Sequence, residues 1–299
     1  MKRVVSVSLG SSKRDHEVEQ EFLGENVLIE RRGMDGSLER MKQTILDLDG
    51  HVDAFGLGGM DLFLTIGDRR YLLKDAQKIV SCAKKTPIVD GSGLKNSLER
   101  KTIQELENKY NMFVNEEKVL VVSALDRFGM AEKISDTNCD VTYGDLIFSL
   151  GLPIPINSLS TLDKVARMAL PIIRYLPFKL LYPTGDKQNS NTNRFEKFYN
   201  RVNIICGDFH YINKYLPNNL TNKTIITNTV TSEDIDKLKI RGLKRLITTT
   251  PSLEGRTFGT NVMEALLVSL KGKKKELESK VYEELLDDLN FSPHIVDFY

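Results

Sequence analysis

The feature that most constrains this chain is a repeated local pattern. Short, β-branched apolar runs end in a polar or glycine-bearing turn, and a segment of helical periodicity follows. VVSVSLG opens the chain this way, and VLVVSALDRFGMA, IICGD, TIITN and RLITTT repeat it later. Runs that are apolar throughout, rather than alternating, belong to strands covered on both faces. Strands separated by helical segments imply a mainly parallel sheet. The expected strands of the first third are Val4–Leu9, Val27–Arg31, Ala54–Leu57, Leu62–Ile66 and Pro87–Val89. Helical spacing is expected over Ser37–Leu48, with Asp35 or Ser37 as cap, and over Lys74–Lys84 and Ser97–Tyr110. A second alternation begins at Lys118, with strands expected at Val119–Ser123, Val141–Tyr143, Val202–Cys206, Thr224–Thr227 and Arg245–Thr248. Helices are expected over Met130–Ser135, Thr260–Leu270 and Lys273–Leu289.

The chain is 299 residues long, which favours two domains over one core. The expected class is α/β with two α/β domains, the C-terminal one a Rossmann-type, doubly wound, mainly parallel sheet. Residues 1–115 form the expected N-terminal substrate domain and 116–272 the dinucleotide-binding-like domain, with 273–299 a C-terminal helix and tail. Within the second domain, 151–187 reads as an apolar, proline-rich insertion. Its five prolines are expected to break it into short pieces. A lid or a homodimer contact is the plainer reading of this insertion, and a wall for an apolar substrate the sharper one.

Charge and cysteine usage exclude several classes. Acidic and basic residues nearly cancel to a formal charge of +1, so nothing global points to nucleic acid. No stretch reaches the roughly 18 apolar residues of a membrane span, and MKRVVSVSLGSS reads as a first strand rather than a secretory signal. Cys82, Cys139 and Cys206 are far apart and form no CxxC pair, which fits buried thiols in a cytoplasmic protein. No metal-ligand spacing, P-loop or nucleophile elbow is present, so no metal is expected.

The candidate chemistry lies in the turns that follow strands. In a dinucleotide site, glycines after the first strand let the backbone approach a diphosphate at a helix N-terminus. Here that turn contains Ser123, Ala124, Asp126, Arg127 and Gly129. Gly129 keeps the close-packing role, and Arg127 can pair with a phosphate or with Asp126. Asp145 follows the next strand, about 20 residues on, where a ribose-binding carboxylate is expected. Thr250, Arg256 and Asn261 lie where a later strand runs into the helix at Thr260, and hydroxyls beside an arginine there make an anion or carbonyl site. In the first half, Asp90, Ser92 and Lys95 share the turn DGSGLK, and Asp61 follows GLGGM. A lysine beside an aspartate can act as acid and base once burial shifts their pKa values. Ser11, Ser12 and Lys13 occupy a third such turn and are candidates for substrate contact. The three turns are expected to share one rim. His210, just after a strand, is a secondary candidate, since a lone histidine is more often structural.

VLVVSALDRFG, KTIITNTVTSEDIDKLKIRGLKRLITT, MEALLVSLKG and VDAFGLGGMDLFL together resemble the shikimate/quinate 5-dehydrogenase-like superfamily. The branch most resembled includes the long-chain acyl-carrier-protein reductases. Asn261 stands where those reductases have a cysteine, so a covalent acyl-enzyme is not implied. The resemblance implies an NAD(P)-dependent oxidoreductase using NAD or NADP on a small hydroxylated or carbonyl substrate between the domains. Lys95 with Asp90 or Asp61 would move the proton. The alternatives are a non-redox ligand-binding or regulatory protein on a degenerate Rossmann scaffold, and a transferase using a nucleotide-linked donor.

Overall fold

Val4, Val5 and Val7 have no solvent exposure and form the middle of the first sheet. The computed structural model describes residues 1–298 apart from 67–68, 174, 176–192, 251, 254–255, 258 and 273–275. The first half runs β1 (Lys2–Ser8), β2 (His16–Phe22), β3 (Glu25–Gly33), α1 (Leu38–Leu48), β4 (Ala54–Gly58), β5 (Phe63–Ile66), β6 (Arg69–Leu72), α2 (Lys74–Val80) and β7 (Ile88–Val89). The sheet order is β2-β3-β1-β4-β7. All its neighbours are parallel except the β2–β3 hairpin. β5 and β6 form a separate hairpin. Ser37 caps α1 by accepting from the Arg40 N–H.

Helix α3 (Ser92–Tyr110) carries the chain to the second half. There follow β8 (Lys118–Val121), α4 (Phe128–Ser135), β9 (Asp140–Tyr143), α5 (Asp145–Phe148), α6 (Leu159–Ile173), α7 (Glu196–Asn200), β10 (Ile204–Cys206), α8 (Phe209–Lys214) and β11 (Thr224–Thr227). The rest is α9 (Ser232–Ile240), β12 (Arg245–Thr248), β13 (Ser252–Leu253), β14 (Arg256–Thr257), α10 (Thr260–Lys271), α11 (Ser279–Asp288) and β15 (His294–Asp297). The second sheet is ordered β15-β12-β11-β10-β8-β9 and is parallel except at the β12–β15 edge. Two doubly wound α/β halves are therefore present. In both, strand order reverses beside the first strand, at β1/β4 and at β8/β10, where open α/β sheets place their ligands.

Some expectations need correction. Segment 159–173 is one helix, not a series of broken pieces, and Pro171 falls in its last turn. Leu162, Ala166 and Leu170 recur at helical spacing, and the last two pack on Phe128. That buried face outweighs the one lost backbone hydrogen bond. Residues 176–187 of the same segment lie outside the described residues. Strand β2 is an addition to the expected strands. Its alternation of buried Val18 and Phe22 with exposed glutamates marks a one-sided strand.

Helices α10 and α11 follow the second sheet's last parallel strand, yet they cover the first sheet. Met263, Leu266, Leu267, Tyr282 and Leu285 share a core with Val4, Val27 and Ala54. Two glycines permit this approach. A Cβ on Gly56 would lie 2.6 Å from the Asn261 carbonyl oxygen, and one on Gly91 would lie 2.7 Å from the Asn261 amide nitrogen. Gly91 also has φ +94°, which favours glycine. Gly91→Ala is expected to lower the unfolding free energy by about 2–4 kcal/mol through backbone strain and overpacking. Urea denaturation measures this, and a loss under about 0.5 kcal/mol would mean the contact yields freely.

Candidate functional site

Both reversal points feed side chains into one junction under α3. Lys95 lies one turn into that helix, its N–H donating to the Gly91 carbonyl. Its ammonium is 2.8 Å from Asp126 Oδ1, which follows β8, and 3.6 Å from Asp61 Oδ1, which follows β4. Glu99 is one turn further along α3. Arg127 sits beside it, donating at 2.8 Å from Nη1 to Glu99 Oε1 and from Nη2 to Asp208 Oδ2, with Nε 3.1 Å from Asp126 Oδ2. Asp208 follows β10 and also accepts from Asn228 Nδ2 at 2.8 Å.

Two cations thus meet four carboxylates, and the side chains of Arg127 and Glu99 are only 5% and 1% exposed. Desolvation works against both charges of each pair here. Burial pushes Lys95 down, but Asp126 and Asp61 override it and hold its pKa above the ordinary lysine value. Burial likewise pushes Asp126 up, and Lys95 and Arg127 together hold it at about 2. Glu99 goes the other way, its desolvation exceeding the help from Arg127 and Lys95, so its pKa is raised. Its Oε2 is buried without a hydrogen bond. Tyr211 lies alongside and is raised by burial and then by Asp126, Asp208 and Asp61.

The junction gathers Lys95, Asp61, Asp126 and Arg127 from the sequence candidates. Asp90 is not Lys95's partner. Its carboxylate accepts from the Leu62 and Ser92 amides, and Ser92 Oγ accepts from Arg70. Ser11, Ser12 and Lys13 do sit past β1, but they form a surface turn tied to Asp35 through the Ser12 N–H. Asn261 faces the first sheet, donating to Ser6 Oγ at 3.0 Å. Thr250 Oγ1 donates to the Asn228 carbonyl, and Ser123 Oγ accepts from the Asp208 N–H. Gly129 donates to Asn96 Oδ1, and a Cβ there would strike the Asn96 backbone, so its role is α3–α4 packing. Arg256 lies in β14, and its side chain lies outside the described residues. His210 is exposed at the start of α8. Glu99 and Asp208 are additions that sequence reasoning misses, although Asp208 follows β10 as Asp126 follows β8, and Glu99 is four residues from Lys95 on one helix face.

The dinucleotide turn is already filled. Asp145 does follow β9, but its carboxylate accepts from the Ala124 and Leu125 N–H groups at 3.1 and 2.9 Å. Those are the free donors on which a diphosphate would sit. Burial raises the Asp145 pKa to about 7 in spite of them. Arg127 is spent on three carboxylates, so the phosphate-pairing role expected for it is corrected too. Among the described residues no group of three or more His, Cys, Asp or Glu could hold a metal ion, and no helix is long and apolar enough to cross a membrane. Open cavities of about 420 and 510 Å³ lie elsewhere, at the N-terminal ends of β8 and β9 and beside β7. The junction is singled out by its chemistry rather than by empty space.

Fold and site together define a two-domain α/β protein with a buried, carboxylate-rich junction at the strand ends of both sheets. The chain belongs to the family described as Domain of unknown function (DUF8754), whose model matches residues 93–298. Residues 3–90 match a second model, Domain of unknown function (DUF8753). No curated protein matches. Similar solved structures include a galactofuranose binding protein, at 12% identity and TM-score 0.38, with 97% of this chain and 99% of that one covered. Another is the periplasmic binding protein component of the arabinose ABC transporter from Shewanella sp. ANA-3, at 11% identity and TM-score 0.37, with 97% and 96% covered. One component of the dipicolinate synthase of Bacillus halodurans is similar at 11% identity and TM-score 0.29, with 96% and 97% covered. These likenesses are remote. The resemblance to shikimate/quinate dehydrogenases is corrected by these findings: both matching family models are domains of unknown function, and the turn that would hold a dinucleotide is closed by Asp145. The NAD(P)-dependent oxidoreductase reading falls with it, as the occupied turn independently requires.

Proposed function

We propose that the protein binds a small, neutral, hydroxyl-rich molecule at the junction without redox turnover. The observation that carries this reading is the charge imbalance, with four carboxylates facing two cations at a buried position. An anionic ligand such as a dinucleotide would add repulsion there. Hydroxyls instead donate to Asp61, Asp126 and Asp208 and accept from Lys95 and Asn228, adding no net charge. Tyr211 supplies an aromatic wall of the kind that covers the apolar face of a ring. The side chains of Asp126, Asp61 and Asp208 keep 25%, 19% and 14% exposure, which leaves a narrow approach. Three free thiols, Cys82, Cys139 and Cys206, favour a reducing compartment such as the cytoplasm. Exposed Leu150, Leu152 and Ile154 offer an apolar contact for a second copy.

Thermal denaturation with a panel of monosaccharides and polyols, alongside NADH and NADPH, tests the reading. At least one neutral polyol should raise Tm, adding about 2.7 kcal/mol at a hundredfold excess over its Kd. Asp208→Asn should weaken that stabilisation about tenfold in ligand concentration, as expected for losing one charge-assisted hydrogen bond. A panel that leaves Tm unchanged, or stabilisation by either dinucleotide, sinks the proposal.

A further inference from the structure

The cavity of about 510 Å³ beside β7 lies outside the junction, and its lining is unusual. Seven consecutive residues, Lys84 to Asp90, form one wall of it. They include β7, the edge strand of the first sheet, with nothing paired on its outer side among the described residues. The Phe55 N–H bonds the Pro87 carbonyl, and Phe55 and Gly56 are in register with Ile88 and Val89. In a parallel ladder that pattern turns the Ile88 N–H and carbonyl away from β4, towards the cavity. Opposite stand apolar side chains, chiefly Leu62, Phe63, Val80 and Ala83.

The two ends differ in charge. Asp90 and Glu276 line one, with Glu264 buried behind them, and Arg70 is the guanidinium that pairs with Glu276. At the other end stand the exposed Lys84 and Lys85, two ammonium groups against the one carboxylate of Asp49, which accepts from both lysines' backbone N–H groups. Pockets of this size suit ligands of a few residues. An open strand edge, an apolar wall, and carboxylates and ammonium groups at opposite ends are what a short zwitterionic peptide needs.

We infer that this cavity is a second binding site, for a short, extended, apolar peptide with free termini. It adds to the β7 edge, with its amino group towards Asp90 and Glu276 and its carboxylate towards Lys84 and Lys85. Main-chain bonding to Ile88 supplies register, and the apolar wall supplies side-chain selection.

Calorimetric titration of the full chain with the tripeptide Leu-Val-Leu tests the assignment, using the free peptide, its N-acetylated form and a form methylated at the central amide. Saturable binding of the free peptide is expected, weakened about tenfold or more by acetylation and by methylation, since each removes a hydrogen bond or charge pair. Ala83→Trp, which fills a partly exposed lining position, should abolish binding while the unfolding midpoint stays within about 2 °C of the parent. Lys84→Glu, at an exposed position, gives a second check if the tryptophan disturbs folding, and should weaken the free peptide about tenfold. The inference is overturned by absence of saturable binding up to about 10 mM. It is equally overturned by equal affinity for free and acetylated peptide, or by binding that survives both substitutions.

Discussion

Arg127→Met is expected to lower the unfolding free energy by about 3–5 kcal/mol, because it strands buried carboxylates that the guanidinium now serves. Glu99, Asp126 and Asp208 all lie within 3.1 Å of Arg127, whose side chain is 5% exposed. Methionine fills similar space but offers no charge or donor. Arg127→Lys should recover only part of the loss, since one ammonium cannot reproduce two directed hydrogen bonds and a third close ion pair. The double change Arg127→Met with Glu99→Leu should be milder than the single one, because it removes the most deeply buried carboxylate together with its partner. Urea denaturation at neutral pH measures all three, and a loss under about 1 kcal/mol for Arg127→Met would show the cluster to be solvated. The pH dependence has a definite sign. Asp126 is held at about 2, below its ordinary value, so its contribution is present above the ordinary aspartate range and is lost as pH falls through about 2.

Glu264→Gln should have an effect of similar size with the opposite dependence on pH. Glu264 is fully buried on α10, where Tyr282 donates to its Oε1 at 2.6 Å, and its Oε2 has no hydrogen bond. Burial first, and then the neighbouring Asp90 carboxylate, push its pKa up to about 8. Glu276 raises it further, while the Tyr282 hydroxyl and the Gly91 N–H oppose the shift. A carboxyl whose folded pKa is raised contributes stability that is complete below its unfolded pKa and lost as pH rises through the folded one. The parent protein should therefore weaken between about pH 5 and pH 9, by on the order of 3–5 kcal/mol if this group acts alone. The glutamine variant cannot ionise, and its stability should stay nearly level over that window. Parallel slopes for the two proteins would remove Glu264 as the cause.

These two residues mark the limit of what the sequence reveals. The strands and the doubly wound order are readable, because β-branched runs and their turns are local signals. Lys95, Asp61, Asp126 and Arg127 emerge on that basis, each lying just past a strand or at a helix start. Their partners do not. Nothing local distinguishes Glu99 from the other charged residues of its helix, and Glu264, the one charge in NVMEALLVSL, carries no local sign of its partner Tyr282. Asp90 looks like Lys95's partner because they are five residues apart, yet the fold turns Asp90 onto the Leu62 and Ser92 amides instead. Asp145 is placed correctly and misread, because the sequence cannot show that its carboxylate closes the very turn it was meant to help. Asn261 is misread for a different reason, since adjacency to β12 hides the crossing of α10 to the other sheet.

That crossing also sets a timetable for synthesis. A ribosome releases the strands of the first sheet within the first 90 residues, but the helices that cover one of its faces end only at Asp288. Val4, Val27 and Ala54 must wait for Met263, Leu266 and Leu285 before they leave water. The nascent first half therefore keeps an apolar face open until residues past Asp288 have emerged, a period in which chaperone capture competes with folding.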